Sequence, residues 1–125
     1  MIIERLEDLN LHDSTLLGVA GDFERGEKVV DLIVDYVESY EPFLSSRKRI
    51  RFRDCAWVCF GAAFAATTPQ HIQWGETHES SFELTRVLQH WPGARELGLR
   101  HHAILLHDAT SKLEVICPTV ELLAP

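Results

Sequence analysis

The chain has no long apolar run: its longest candidate, Ala56 to Ala66, falls short of the ~18 to 20 residues that a membrane-spanning helix requires. No membrane contact is expected on that count. Its first residues, Met1-Ile2-Ile3-Glu4-Arg5, mix charge with apolar side chains and lack the basic segment and apolar stretch of a signal peptide, so the expected location is cytoplasmic. Cysteine is sparse and odd in number. Cys55, Cys59 and Cys117 fit no CxxC chelate or redox spacing, and on a strand the α-carbons of Cys55 and Cys59 would stand ~13 Å apart, beyond disulfide reach. They are expected to be buried, reduced thiols. No internal repeat, low-complexity tract or linker divides the sequence.

What is present suits one compact domain spanning 1–125. With 46% hydrophobic and 25% charged residues, 125 residues can bury a core without disulfides or structural metal. The net charge of −7 is uneven: residues 1–41 carry eleven acids against Arg5, Arg25 and Lys28. A domain of this sign repels phosphate backbones, which argues against a nucleic-acid partner and for a protein partner with a basic surface. One stretch opposes the trend, Arg47-Lys48-Arg49-Ile50-Arg51-Phe52-Arg53, with five basic residues in seven. Either it forms an anion-docking stripe through Arg51 and Arg53, or it is a strand face paired with the acids of residues 31–38, Asp31 and Asp35 among them.

Periodicity predicts a largely antiparallel β protein with one helix. Ile2, Ile3, Leu6 and Leu9 suggest a short opening helix. From Leu9 the period becomes two, placing Leu11, Thr15, Leu17 and Val19 on one face of a strand and Asn10, His12 and Ser14 on the other. Gly21-Asp22 and Arg25-Gly26-Glu27 mark a turn, after which Val30, Leu32, Val34 and Tyr36 alternate with polar residues, so the two segments make a hairpin. Residues 38–48, with Pro42 and three serines, read as a surface loop, and Ile50 and Phe52 open the next strand. Asp54 on that apolar parity suggests a bulge. Ser80-Ser81-Phe82-Glu83 has capping-box form, and Leu84, Val87, Leu88 and Trp91 follow at helical spacing up to Pro92-Gly93, which predicts a helix near residues 81–91. Leu97 to His107 and Lys112 to Val120 are further strands around the turn Asp108-Ala-Thr-Ser, and Pro118 places the last near an edge. The expected fold is α+β, predominantly antiparallel β, in a single sheet or sandwich of about five to seven strands.

His12-Asp13-Ser14 is the candidate for chemistry. On a strand His12 and Asp13 point to opposite faces, so they enter one metal site only if the chain turns there. Ser14 lacks the glycine-rich elbow of a serine nucleophile. The structural alternative is that Asp13 accepts backbone hydrogen bonds at a bulge and sets strand register. Among the remaining histidines, His101 and His107 share a parity but lie ~20 Å apart along a strand. A metal site would therefore be assembled from separate strands, for instance His12 with one of His71, His101, His102 or His107 and an acid such as Asp108. Trp57 reads as core, whereas Trp74 and Trp91 sit beside polar or turn residues, where tryptophan serves as an interface anchor or as packing.

The layout Leu11-His12-Asp13-Ser14, Leu16-Leu17, the strand Val30 to Tyr36, Ile50-Arg51-Phe52 and a late Leu113-Glu114-Val115-Ile116 resembles small bacterial proteins that open with an HDS strand, some of which are similar to immunity proteins of toxin systems. That resemblance implies a domain that binds a partner and catalyses nothing, with no cofactor and no catalytic residues to carry over. The binding residues expected from the sequence are His12, Asp13, Ser14, Asp31, Asp35, Arg51, Arg53 and Trp74, and the edge near Pro118 makes a homodimer conceivable. Two alternatives stand beside it: a metal-dependent hydrolase using His12 and Asp13, and a small-ligand carrier with an apolar pocket near Trp57 and Phe60.

Overall fold

A computed structural model describes residues 1–23, 26–61, 69–107 and 111–125. Among the described residues, nine strands run in one wholly antiparallel sheet: β1 (Ile2–Ile3), β2 (Thr15–Asp22), β3 (Val29–Tyr40), β4 (Phe43–Arg53), β5 (Trp57–Phe60), β6 (Gln70–His78), β7 (Arg100–Leu106), β8 (Lys112–Cys117) and β9 (Thr119–Leu123). Their order is β1-β9-β4-β3-β2-β6-β7-β8-β5. The helix α1 (Phe82–His90) lies outside the sheet. Nine strands among the described residues exceed the five to seven expected, and three segments divide differently from their hydrophobic pattern.

The first is residues 38–48, which form no loop: β3 continues to Tyr40 and β4 begins at Phe43, leaving Glu41 and Pro42 as the connection. Serine and proline made this stretch resemble a loop, but a long hairpin that extends beyond the core needs polar residues on both faces. The second is Asp54, where φ is +56°, a left-handed conformation that a short polar side chain tolerates. It ends β4 rather than bulging it. The Cys55 N–H then bonds Lys28 O at 2.9 Å and the Ala56 N–H bonds Ile116 O at 2.8 Å, so β5 pairs with β8 instead of prolonging β4. The third is Pro118, which sits between β8 and β9 as the chain crosses from one half of the sheet to the other. The edges are β1 and β5, so Pro118 marks a crossover and not an edge. The opening residues likewise form β1 and a 3-10 turn (Leu6–Asp8) in place of a helix.

The sheet closes over its own core. Phe52 of β4 and His102 of β7 have ring centroids 5.9 Å apart although β3, β2 and β6 lie between their strands. In a flat sheet four inter-strand steps span ~19 Å. The fold-over occurs at the β2–β6 junction, where the two halves are joined by only two residue pairs, Thr15 with His71 and Leu16 with Gln70. Val30, Leu32, Val34, Ile50 and Phe52 from one half thereby meet Ile72, Ile104, Leu106, Leu113 and Val115 from the other in one buried cluster. A second, smaller cluster joins α1 to the outer face, with Leu84, Ala94, Leu99 and Ile116 buried and Trp57, Val87 and Leu88 packed against them.

Helix α1 forms where its spacing predicts. The Ser81 hydroxyl oxygen accepts the Leu84 N–H at 3.0 Å, and the helix stops at Trp91 before Pro92. The cap is thus Ser81, one residue beyond the Ser80 that starts the capping-box pattern. Among the described residues no helix is long and apolar enough to cross a membrane. Residues 62–68, residues 108–110 with Asp108, and Arg25 of the expected turn before β3 lie outside the described residues.

Candidate functional site

His12-Asp13-Ser14 lies in a turn, not on a strand. The Ser14 N–H bonds Leu11 O at 3.0 Å, and Asp13 has φ +69°, so the chain reverses just before β2. Leu11 and Ser14 are buried while His12 and Asp13 face solvent. Sequence alternation assigned the wrong parity because it treated the turn as extended backbone and because a bulge between Leu16 and Gly18 resets β2. The three residues consequently have separate roles. Ser14 ties strands together: its hydroxyl donates to Asn10 O and accepts the Val37 N–H at 3.1 Å. The His12 ring is held by Nδ1 at 2.8 Å from Gln73 O, which leaves Nε2 at 3.6 Å from Asp13 Oδ1.

The turn that reverses the chain also brings His12 to the end of β7. His107 follows Leu106 directly, its N–H bonds His71 O at 3.1 Å, and its ring centroid lies 5.9 Å from that of His12. One donor atom each from His12, Asp13 and His107 fall within 4.8 Å of one another. His71 stands edge-on to His107 at 6.0 Å. His12 and Asp13, opposed on a strand, are thus brought to one side by the turn. Trp74 lines a shallow recess with His12 and is 44% exposed, so its ring is not core packing.

Asp31, Asp35, Arg51 and Arg53 belong to a ladder of opposite charges. Strand β3 pairs with β4 in the register Asp31↔Arg51 and Asp35↔Arg47. Arg51 holds Asp31 through two bonds, Nε–Oδ1 at 2.8 Å and Nη2–Oδ2 at 3.0 Å, and Arg49 adds a contact at 3.6 Å. Arg53 reaches Glu27 and Glu121, and Lys48 reaches Glu38 at 3.4 Å. The hydrogen bond that Arg51 donates to Asp31 raises the Arg51 pKa, and those that Arg53 donates to Glu27 and Glu121 raise that of Arg53. The basic run therefore neutralises the acidic strand beside it, as the second of the two readings of that run expects. Asp35 stays exposed.

Two histidines of β7 are buried on opposite faces, unlike the surface and turn positions otherwise typical of the set. His102 points into the core, where Nδ1 meets Thr77 Oγ1 at 2.9 Å and burial drives its pKa down to about 4. His101 points outward beneath α1, with Nδ1 at 2.8 Å from Ser81 Oγ and Nε2 at 3.2 Å from Glu114 Oε1. Cys55 and Cys117 are buried, and the hydrogen bond with Cys55 together with burial pushes the Cys117 thiol far up, so it stays protonated. Cys59 is exposed on β5, contrary to the expectation for all three thiols.

An apolar concavity lies beside Trp57, one of the two residues near which the small-ligand reading expects a pocket. A groove of about 550 Å³ runs between α1 and the start of β5, lined by Ala56, Trp57, Phe82, Val87 and Trp91 with Glu83, Arg86 and His90 at its margin. Phe82 is 71% and Trp91 51% exposed, and Arg86 stacks over the Phe82 ring at 5.8 Å. One signal was available in the sequence: Phe82 falls off the stripe of Leu84, Val87, Leu88 and Trp91, so no core position accounts for it. Trp91 belongs to that stripe but, as the residue that ends α1, leaves it for solvent. Phe60, expected near an apolar pocket with Trp57, points elsewhere and is exposed. Comparison of the chain with protein-family models, with curated proteins and with solved structures found no match in any of the three.

Proposed function

We propose that this chain is a non-enzymatic protein-binding domain, of the regulatory or immunity-like kind, which receives its partner in the groove between α1 and β5. The observation that carries this reading is the pair of aromatic side chains, Phe82 and Trp91, left in solvent beside a groove already lined by Trp57 and Val87. Leaving two large rings wet forgoes about 1.5–3 kcal/mol each of burial, which a partner surface would recover. Trp and Arg are the residues that dominate interface energetics, and Trp57, Trp91 and Arg86 supply them here. The net charge of −7 favours a partner with a basic surface at long range, with an encounter rate that falls as salt rises. His12, Asp13 and Trp74 remain as a separate exposed patch of the same molecule.

The test is capture of partners at low salt from the native cell, run in parallel with wild type, Phe82→Ser and Trp91→Ser. The same polypeptide should be retained by wild type and bound about 30-fold more weakly by either variant, the cost of removing one hot-spot ring. Equal capture by all three proteins would remove the groove from the account. A small-ligand carrier is the second reading, favoured by the groove volume, which falls within the ~300–1,000 Å³ typical of small-molecule sites. A bound small molecule released by denaturing wild type, and missing from the variants, would replace the first reading by the second.

A further inference from the structure

We infer that His12, Asp13 and His107 form a binding site for a divalent transition-metal ion, zinc being the best match. Three features of the turn point to it, and none involves the groove. The first is the donor set: two imidazoles and a carboxylate within 4.8 Å, which is the ligand chemistry of zinc rather than of magnesium or calcium. The second is spacing. Two donors each ~2.1 Å from a tetrahedral ion stand ~3.4 Å apart, and His12 Nε2 and Asp13 Oδ1 are 3.6 Å apart. The third is the orientation of His12. A carbonyl can only accept, so the 2.8 Å contact with Gln73 O requires a proton on Nδ1, and the neutral ring then carries its lone pair on Nε2, the atom next to Asp13. Metal-bound histidines are characteristically held in this manner, by a carbonyl on the ring nitrogen that does not bind the ion.

The backbone fits this arrangement. Asp13 adopts φ +69°, and that left-handed residue is what carries its carboxylate to the same side as the preceding imidazole. His107 arrives from a different strand, held by its own N–H to His71 O at 3.1 Å, so two separate backbone anchors meet at one point. All three side chains are exposed, which leaves at least one coordination position for water or for a donor atom from another molecule.

The experiment is titration of chelator-treated, untagged protein with zinc chloride by calorimetry, and with cobalt(II) chloride by visible absorption, which reports four-coordinate geometry. The expected result is one equivalent bound, with affinity at least tenfold weaker in His12→Gln, in His107→Gln and in Asp13→Asn, and unchanged in His78→Gln, an exposed histidine elsewhere. The His107 ring makes no hydrogen bond among the described residues, so His107→Gln keeps the fold even where His12→Gln does not. No saturable binding up to about 1 mM, or loss of binding as large in His78→Gln as in His107→Gln, would overturn the inference. Failure here would leave the groove untouched, since no residue is shared.

Discussion

Ser14 is the member of the His-Asp-Ser triplet that the fold cannot spare. It is fully buried, and its oxygen is the acceptor for the Val37 N–H. Ser14→Ala should destabilise the protein by about 1–3 kcal/mol, the cost of a buried donor left without an acceptor, measurable by urea denaturation. A loss below about 0.5 kcal/mol would show that Val37 finds another partner. Gly75 is a second such position: a Cβ there would meet Leu11 Cδ1 at 2.5 Å and Leu6 Cβ at 3.0 Å, both on fully buried side chains. Gly75→Ala should therefore cost about 1–3 kcal/mol by overpacking where the N-terminal turn crosses β6. His102 makes stability depend on pH. Burial and the nearby Arg100 lower its folded pKa to about 4, against ~6.5 for an unfolded chain, so only the unfolded state takes up a proton between those values. Stability is complete above pH ~6.5 and falls by up to roughly 3 kcal/mol as the pH drops toward 4. The loss between pH 6.5 and 4.5 should flatten in His102→Gln, an amide that can still receive the Thr77 hydroxyl; an unchanged slope would place the titration elsewhere.

At the scale of elements, the strands legible in the sequence are those with one buried face. Val30, Leu32, Val34 and Tyr36 alternate as written, Ile50 and Phe52 do so in β4, and the paired charges of these strands fall opposite one another. Helix α1 was legible for the same reason, one buried stripe and a serine cap. Alternation failed wherever the backbone departs from regular geometry: at Asp13 and Asp54, whose positive φ turns the chain, and at the bulge after Leu16. It failed again where a strand is covered twice. β7 buries His101 under α1 and His102 in the core, so polar residues occupy both of its faces. The convergence of His12 with His107 depends on the fold-over at β2–β6 and has no local signature. The charge ladder between β3 and β4 carries its own expectation. Arg51→Met removes both bonds to Asp31, a half-buried carboxylate that retains only Arg49 at 3.6 Å. The variant should melt several degrees lower, and the deficit should shrink in Asp31→Asn/Arg51→Met if the uncompensated carboxylate is its cause.

For the molecule as a whole, the folded-over sheet carries the candidate sites on its surface. Its core is filled from both halves, the charges of the long hairpin are largely spent on one another, and two of the aromatic rings left in solvent, Phe82 and Trp91, flank the groove beside α1. On the proposed reading the binding surface lies on the helix side and not on the acidic strand that the charge distribution first brings to mind. The most direct measurement is native mass spectrometry of untagged protein drawn gently from its own cells, with Phe82→Ser/Trp91→Ser in parallel. A one-to-one complex with a second polypeptide, present for wild type and lost in the double variant, is the result this account requires. The bare chain from both proteins, or a wild-type adduct of only a few hundred daltons, would contradict it.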